Sequence, residues 1–175
     1  RIAMYGHKRI PSREGGIEVV VEELSSRMVK LGHDVTCYNR TGHHVGDSKY
    51  DIQYDIAEYK GIRLKKLFTI DSKGLAAMTS SFIAAIKVSF NNYEVIHIHA
   101  EGPCFFCWLP KLFGKKIVVT IHGLDHKRLK WGRFARTYIK WAEVVAAKCA
   151  DEVIVLSESV KEYFFCKYCF FQKKN

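Results

Sequence analysis

The chain has 175 residues, of which 48% are apolar and 26% are charged. This length and balance are typical of one globular domain and exclude a disordered chain, a collagen-like repeat and a coiled coil. Lys and Arg number 28 against 18 Asp and Glu, and the resulting charge of +10 favours an anionic partner such as nucleic acid, an acidic membrane surface or a phosphorylated ligand.

The first 40 residues predict a βαβ unit. A short strand at 1–5 is followed by a polar loop at 7–16 and then by a helix that closes at Gly32, a residue suited to a helix C-terminus. A second strand at 33–38 completes the unit. The apolar stripe of the helix consists of Ile17, Val20, Val21, Leu24, Met28 and Leu31.

The rest of the chain continues this alternation after a polar loop at 41–50. Strands are predicted at 62–68, 94–99, 116–121 and 151–156, and helices at 74–90, 103–113, 130–150 and 157–163. The alternation predicts an α/β, doubly wound parallel sheet of the Rossmann-like type. No apolar run reaches the roughly 18 residues of a membrane-spanning helix, and no secretory signal opens the sequence, so we expect a cytoplasmic chain.

The helix predicted at 130–150 has an apolar face and a basic face. The apolar face contains Trp131, Phe134, Ala135, Tyr138, Ala142, Val145 and Cys149. The basic face contains Arg133, Arg136 and Lys140. Such a face contacts nucleic acid, acidic lipid or only water, and the density of cations favours a membrane surface.

Two cysteine pairs have CxxC spacing, Cys104/Cys107 and Cys166/Cys169. A zinc ribbon has its two pairs about 15–20 residues apart, and these pairs are much more widely separated. We therefore predict buried thiols and no metal site.

Ligands of open α/β sheets bind beyond the carboxyl ends of the strands. After the first strand, Gly15 and Gly16 lead into the first helix, and Arg9 lies nearby in sequence. Glycine N–H groups at a helix N-terminus attract anions, which predicts a phosphate or diphosphate cradle. The alternative is a glycine turn with solvated basic residues. The loop matches neither GxGxxG nor a P-loop, which disfavours a dinucleotide-dependent enzyme.

Two further strands end at histidine. His99 closes the fourth strand and is followed by Glu101, whereas His122 follows the fifth strand and precedes Asp125. A histidine at a strand end can contact a substrate or transfer a proton, but it can also be a satisfied core residue.

Five segments in order carry a family resemblance: RIPSREGGIEVVVEEL at 9–24, GHDVTCYNR at 32–40, HIHAEGP at 97–103, TIHGLD at 120–125 and ADEVIVLS at 150–157. They resemble the N-terminal domain of a family 4, GT-B glycosyltransferase, and more narrowly its bacterial rhamnosyltransferase-like branch. The resemblance covers residues 1 to about 163.

The resemblance implies two Rossmann-like domains around a cleft, the N-terminal one for the acceptor and the C-terminal one for a nucleotide-sugar. It implies a retaining reaction without metal or other cofactor, and a lipid-linked or cell-surface glycan acceptor, often at the inner membrane face. Gly15, Gly16 and Arg9 map to donor-phosphate contacts, and His122 maps to the catalytic position. His99, Glu101 and Asp125 map to the acceptor side, and Arg133, Arg136 and Lys140 would face the membrane.

The family's C-terminal donor domain has no counterpart in this sequence. We expect a domain at 1–163 and an aberrant aromatic and basic tail at 164–175, of the kind that a reading-frame shift produces, with a genuine amphipathic tail as the alternative. The chain alone is then expected to bind acceptor or phosphate but not to transfer sugar. The alternative function is a basic, non-catalytic module that binds anionic membrane or nucleic acid.

Overall fold

A computed structural model describes residues 1–13, 15–42, 56–70, 72, 75–125 and 132–168. Outside them lie parts of five predicted segments: residue 14 of the first loop, residues 43–50 of the second loop, residue 74 of the helix at 74–90, residues 130–131 of the long helix, and residues 169–175 of the tail with Cys169. The strands are β1 (Ile2–Tyr5), β2 (Val35–Arg40), β3 (Glu58–Tyr59), β4 (Ile62–Leu67), β5 (Val95–His99), β6 (Lys116–Ile121) and β7 (Glu152–Val155). The helices are α1 (Gly16–Lys30), α2 (Leu75–Phe90), α3 (Trp108–Leu112), α4 (Arg133–Cys149) and α5 (Glu158–Tyr168), with a 3₁₀ helix at Gly102–Phe106.

The strands form one sheet in the order β3-β4-β2-β1-β5-β6-β7. Every neighbouring pair is parallel except β3 and β4, which form a short antiparallel hairpin. The chain leaves β1 toward β2 on one side and later returns to β5 on the other, so the strand order reverses at β1. This arrangement confirms the predicted doubly wound, Rossmann-like sheet.

Alternate residues of the central strands enter two separate cores. On one face, Ile2 and Met4 of β1 pack with Val21 of α1. On the other face, Ala3 and Tyr5 belong to a larger core that also contains residues of α2, α4 and α5. The period of two in β1 therefore divides the helices between the faces of the sheet.

Helix α1 ends as predicted at a glycine. Gly32 has a φ of 89°, its N–H donates to the Val29 carbonyl, and the His33 N–H donates to the Met28 carbonyl. This pair of bonds is a Schellman motif, which requires the left-handed conformation that glycine adopts without strain.

The secondary structure differs from the prediction in two details. The helix predicted at 103–113 is a 3₁₀ helix followed by α3, because Pro110 has no N–H to continue a single α-helix through the segment. The β3–β4 hairpin was not predicted. It has only two residues in its first strand, too few for a periodic pattern, and turns through Lys60 and Gly61, which both have positive φ.

The predicted faces of α4 also need correction. Its buried stripe consists of Ile139, Ala142, Glu143 and Ala146. Phe134, which is predicted on the apolar face, is 82% exposed, since at 100° per residue it lies roughly 130° from the centre of that stripe. Arg136 lies closer to the stripe and is half-buried, whereas Arg133 and Lys140 are exposed as predicted.

Helix α5 continues beyond the domain boundary predicted at residue 163. Ser157 caps it as expected, accepting the Val160 N–H at 3.4 Å. Phe164 and Tyr168 are buried in the larger core. The Tyr168 hydroxyl also donates to the buried Glu143 carboxylate at 3.0 Å. Residues 164–168 therefore belong to a packed helix.

Candidate functional site

The carboxyl ends of β1, β5 and β6 meet at one edge of the sheet, next to the start of α1. Gly6 follows β1 with a φ of 108°, and a Cβ at this position would overlap the His99 carbonyl oxygen. After β5, Ala100 has a φ of 73°, and its N–H donates to the Thr120 carbonyl of β6 at 3.0 Å. This positive φ in a non-glycine residue is strained backbone, a feature that clusters at functional sites.

Three histidines from β5 and the end of β6 lie against one another. The rings of His97 and His99 stack with centroids 4.3 Å apart, and His99 Nδ1 lies 3.2 Å from His122 Nε2. His97 Nε2 contacts the Thr120 hydroxyl at 2.7 Å. One nitrogen of the His99–His122 pair carries the proton that the other accepts, so the two tautomers are coupled.

A fourth histidine, His7 from the loop after β1, joins this cluster. It is buried, and its Nε2 lies 3.0 Å from Asn39 Oδ1. It also interacts electrostatically with His99. Sequence reasoning missed His7, because nothing in its local pattern distinguishes it from the basic residues that follow.

Burial keeps the four imidazoles neutral at pH 7. It lowers the pKa of His7 to about 4 and that of His97 to about 4. Burial, followed by the neighbouring histidines, holds the pKa of His99 well below its usual value. The pKa of His122 is also lowered by burial, although Glu18 and Asp125 act in the opposite direction. His122 can therefore donate or accept a hydrogen bond but is not a cation at neutral pH.

The predicted anion cradle lies at the N-terminus of α1. Gly15 is the N-cap and no side chain caps the helix. The Glu18 carboxylate folds back over Gly15 so closely that a Cβ there would overlap it. Gly16, by contrast, is exposed, and a Cβ there would meet no atom within 4 Å. The open side of the helix start is therefore at Gly16, where backbone N–H groups can meet an anion.

Glu18 connects the cradle with the histidines. It is 6% exposed, accepts the Lys8 N–H at 2.9 Å, and interacts electrostatically with His122. Sequence reasoning did not select it as a site residue. The available signal was its position, the third of the helix, where an acidic side chain reaches back to loop N–H groups.

The cation that the structure places beside Gly6 is Arg40, at the end of β2. Its guanidinium donates to the Gly6 carbonyl at 2.8 Å. Burial lowers its pKa to about 10, so it remains charged at pH 7. Arg9, the predicted phosphate contact, lies in the loop after β1 but is only 6% exposed.

Two of the three predicted acceptor residues are buried. His99 is fully buried, and Glu101 is 1% exposed with its Oε2 accepting the Asp125 N–H at 2.7 Å. Glu101 thus anchors the turn that follows His122, and His99 contacts His122 from its buried position. Asp125 is partly exposed and interacts with His122.

Two further observations concern metal binding and membrane insertion. In the part of the chain that the structure describes, no group of three or more His, Cys, Asp or Glu side chains has the geometry of a metal site. The described helices include none that is long and apolar enough to cross a membrane.

Comparison with known proteins identifies the family. The family model described as Glycosyltransferase Family 4 matches residues 14–171. A solved structure of sucrose-phosphate synthase from Thermosynechococcus elongatus is similar in fold, with a TM-score of 0.57 and 18% identity. That match covers 95% of this chain and 44% of the synthase, so the chain spans less than half of that protein. A search of curated proteins finds no match. Since the family model covers most of the chain, including the Gly15–Gly16 loop and both strand-end histidines, the chain belongs to Glycosyltransferase Family 4.

Proposed function

We propose that this chain is the acceptor-side half of a retaining glycosyltransferase that moves a sugar from a nucleotide-sugar to a lipid-linked or cell-surface glycan. Its finer place is the rhamnosyltransferase-like branch that the sequence resembles. The observation that carries the proposal is the convergence of the α1 N-terminus, His122 and Asp125 at one edge of the sheet, with Glu18 in electrostatic contact with His122 and folded over Gly15.

Each part of this edge has a separate chemical task. The exposed N-terminus of α1 at Gly16 offers N–H groups and a partial positive charge to the diphosphate of the donor, which gains negative charge as the sugar leaves. Neutral His122 hydrogen-bonds a sugar hydroxyl near the reacting carbon. Asp125, on the turn anchored by Glu101, hydrogen-bonds a hydroxyl of the acceptor. The second Rossmann-like domain of the family would supply the nucleotide site.

The diphosphate part of the proposal is tested with nucleoside diphosphates. We expect UDP, GDP or dTDP to bind the chain in the millimolar range, measured by NMR chemical-shift titration. Gly16→Asp adds a negative side chain at the open helix start and should weaken binding at least about tenfold, a like-charge effect of about 1.4 kcal/mol or more. The matched control is Gly132→Asp, because Gly132 is the exposed N-cap of α4 with open space around it. Equal binding by the two variants would contradict the proposal.

Sugar transfer is tested separately. The chain spans less than half of the synthase that it resembles in fold. We therefore expect these 175 residues alone to release no nucleoside diphosphate when they are incubated with nucleotide-sugars and lipid-phosphate or glycan acceptors. Clear turnover by the purified chain would refute its proposed inactivity while leaving the assignment of the site intact.

A second candidate function rests on α4. Its solvent face exposes Phe134 at 82% and Trp141 at 62%, together with the exposed cations Arg133 and Lys140. Aromatic side chains beside cations are typical of a peripheral contact with anionic lipid, here at the inner face of a membrane.

Vesicle sedimentation tests this candidate. We expect binding to vesicles that contain phosphatidylglycerol, little binding to phosphatidylcholine vesicles, and a loss of several-fold in Phe134→Ser/Lys140→Glu. The control is Lys161→Glu, which removes an exposed cation from α5. Binding to DNA with a steep salt dependence, and none to vesicles, would favour a nucleic-acid module instead.

A further inference from the structure

The two cysteines of the CxxC motif at the start of α3 have different partners. The Cys104 thiol donates to the Ala100 carbonyl at 3.1 Å, within its own segment. Cys107 points away toward α4, with its sulfur 3.8 Å from the Val145 carbonyl. Cys149 lies four residues after Val145 and therefore on the same side of α4. The Cys107 sulfur therefore lies next to the turn of α4 that carries Cys149, and the two thiols interact.

The surroundings of this pair favour a thiolate at Cys149. The hydrogen bond from Cys107, and then the charges of Lys111 and Lys148, lower the pKa of Cys149 to about 7, against the opposing effect of burial. The same hydrogen bond, followed by burial, raises the pKa of Cys107. The surroundings therefore favour the thiolate at Cys149 and the protonated thiol at Cys107.

The position of the pair suits oxidation. Cys149 is partly exposed near the end of α4, whereas Cys107 is fully buried behind it. Lys111 forms an ion pair with Asp151 at 2.5 Å, which holds α3 against the end of α4 and keeps a cation beside Cys149. A reactive thiolate at the surface with a second thiol next to it is the arrangement of an oxidation-sensitive dithiol.

We propose that Cys149 and Cys107 form an oxidation site, in which Cys149 reacts first with a peroxide and Cys107 then closes a reversible disulfide. The Cys149 thiolate attacks one peroxide oxygen, the O–O bond breaks, and sulfenic acid and hydroxide result. The hydroxide takes a proton from solvent and becomes the first water. The Cys107 sulfur then attacks the Cys149 sulfur, loses its proton and displaces the hydroxyl as a second water. Two electrons leave the dithiol and reduce one peroxide.

The test uses the wild-type chain at pH 7 with hydrogen peroxide, followed by alkylation of the remaining thiols, digestion and mass spectrometry. We expect a peptide containing Cys107 joined to the peptide containing Cys149, with the mass of two hydrogens lost, and recovery of both free peptides after dithiothreitol. Cys166 is more exposed than Cys149 and is the internal control, and it should be oxidised several-fold more slowly.

Variants separate the two roles. Cys149→Ser should abolish the cross-link, and Cys107→Ser should leave a Cys149 sulfenic acid that dimedone traps. Cys104→Ser should keep the cross-link. A Cys104–Cys107 disulfide, oxidation of Cys149 to sulfinic acid without a cross-link, or an undiminished cross-link in Cys149→Ser would each overturn the proposal. The wild-type peptide map decides the matter even where a variant folds poorly, and no readout depends on sugar transfer.

Discussion

Lowering the pH from 7 to 5 is expected to reduce the free energy of unfolding by about 4 kcal/mol through His7 and His97 alone. Each has a pKa of about 4 in the folded chain, against about 6.5 when unfolded. Between these values the unfolded chain binds more protons. Stability is therefore fully present above pH 6.5 and is lost as the pH falls toward 4. At pH 5 each histidine accounts for about 2 kcal/mol, a large part of the 5–15 kcal/mol that is usual for a domain.

Urea unfolding followed by circular dichroism at pH 7, 6 and 5 measures this effect. His97→Gln replaces the imidazole by a group that does not titrate but can still bond the Thr120 hydroxyl, and it should remove about half of the pH dependence. His33→Gln is the matched control, because His33 is exposed, and it should leave the pH dependence unchanged.

The window from pH 7 to 5 lies above the titration of two carboxylates that are stabilised in their charged form. Glu94 and Asp151 have pKa values below their ordinary range, Glu94 through its ion pair with the N-terminus and Asp151 through bonds from Ile117 and Lys111 that outweigh its burial. Both therefore titrate below pH 5. A free energy of unfolding that stays constant from pH 7 to 5 would show that burial does not hold the histidines neutral. An equal effect of His97→Gln and His33→Gln on its pH dependence would show the same.

Other substitutions test the packing behind the site. Gly6→Ala should cost at least about 2 kcal/mol, since its φ of 108° is strained for alanine and its Cβ overlaps the His99 carbonyl, whereas Gly16→Ala should change stability by less than about 1 kcal/mol. Thermal and urea unfolding compare the two. Glu143→Ala should cost about 3 kcal/mol, because the buried carboxylate accepts bonds from Tyr163, Lys167 and Tyr168, and it should accelerate hydrogen exchange in α5. Glu158→Ala, which removes an exposed ion pair, should cost less than about 1 kcal/mol, and an equal loss would contradict the role of Glu143.

The fold could be predicted from the sequence because the apolar residues of its longer helices and strands recur with a clear period. The stripe of α1 and the β-branched run of β6 indicated a helix and a buried strand without knowledge of tertiary contacts. Phe134 shows where this reasoning fails, since apolarity alone does not say which side of a helix meets the sheet. The β3–β4 hairpin was missed for another reason. Its first strand has only two residues, too few to show a period, and no sequence pattern indicates the left-handed conformation of Lys60.

The site was only partly predictable. Topology alone brought Gly16 and His122 to the same edge, because both follow the carboxyl ends of parallel strands. The burial of His99 and Glu101 could not be deduced from the sequence. Both were predicted to contact an acceptor, but in the structure His99 packs against His122 and Glu101 holds the turn that follows it. Glu18 and Arg40 were missed because each acts through a long-range contact, one with the loop after β1 and the other with the Gly6 carbonyl.

The same close packing explains both the chemistry of the site and its dependence on pH. The end of β1 approaches β5 so closely that only glycine fits at position 6, and this contact buries the neighbouring imidazoles. Burial excludes the charged form of each ring, so His122 is available as a neutral hydrogen-bonding group and His99 as its neutral partner. Protonation in mild acid would give these rings a charge that the packing does not accommodate. The proposed sugar-binding chemistry and the stability of the sheet edge should therefore both be lost as the pH falls below the ordinary pKa of histidine, about 6.5.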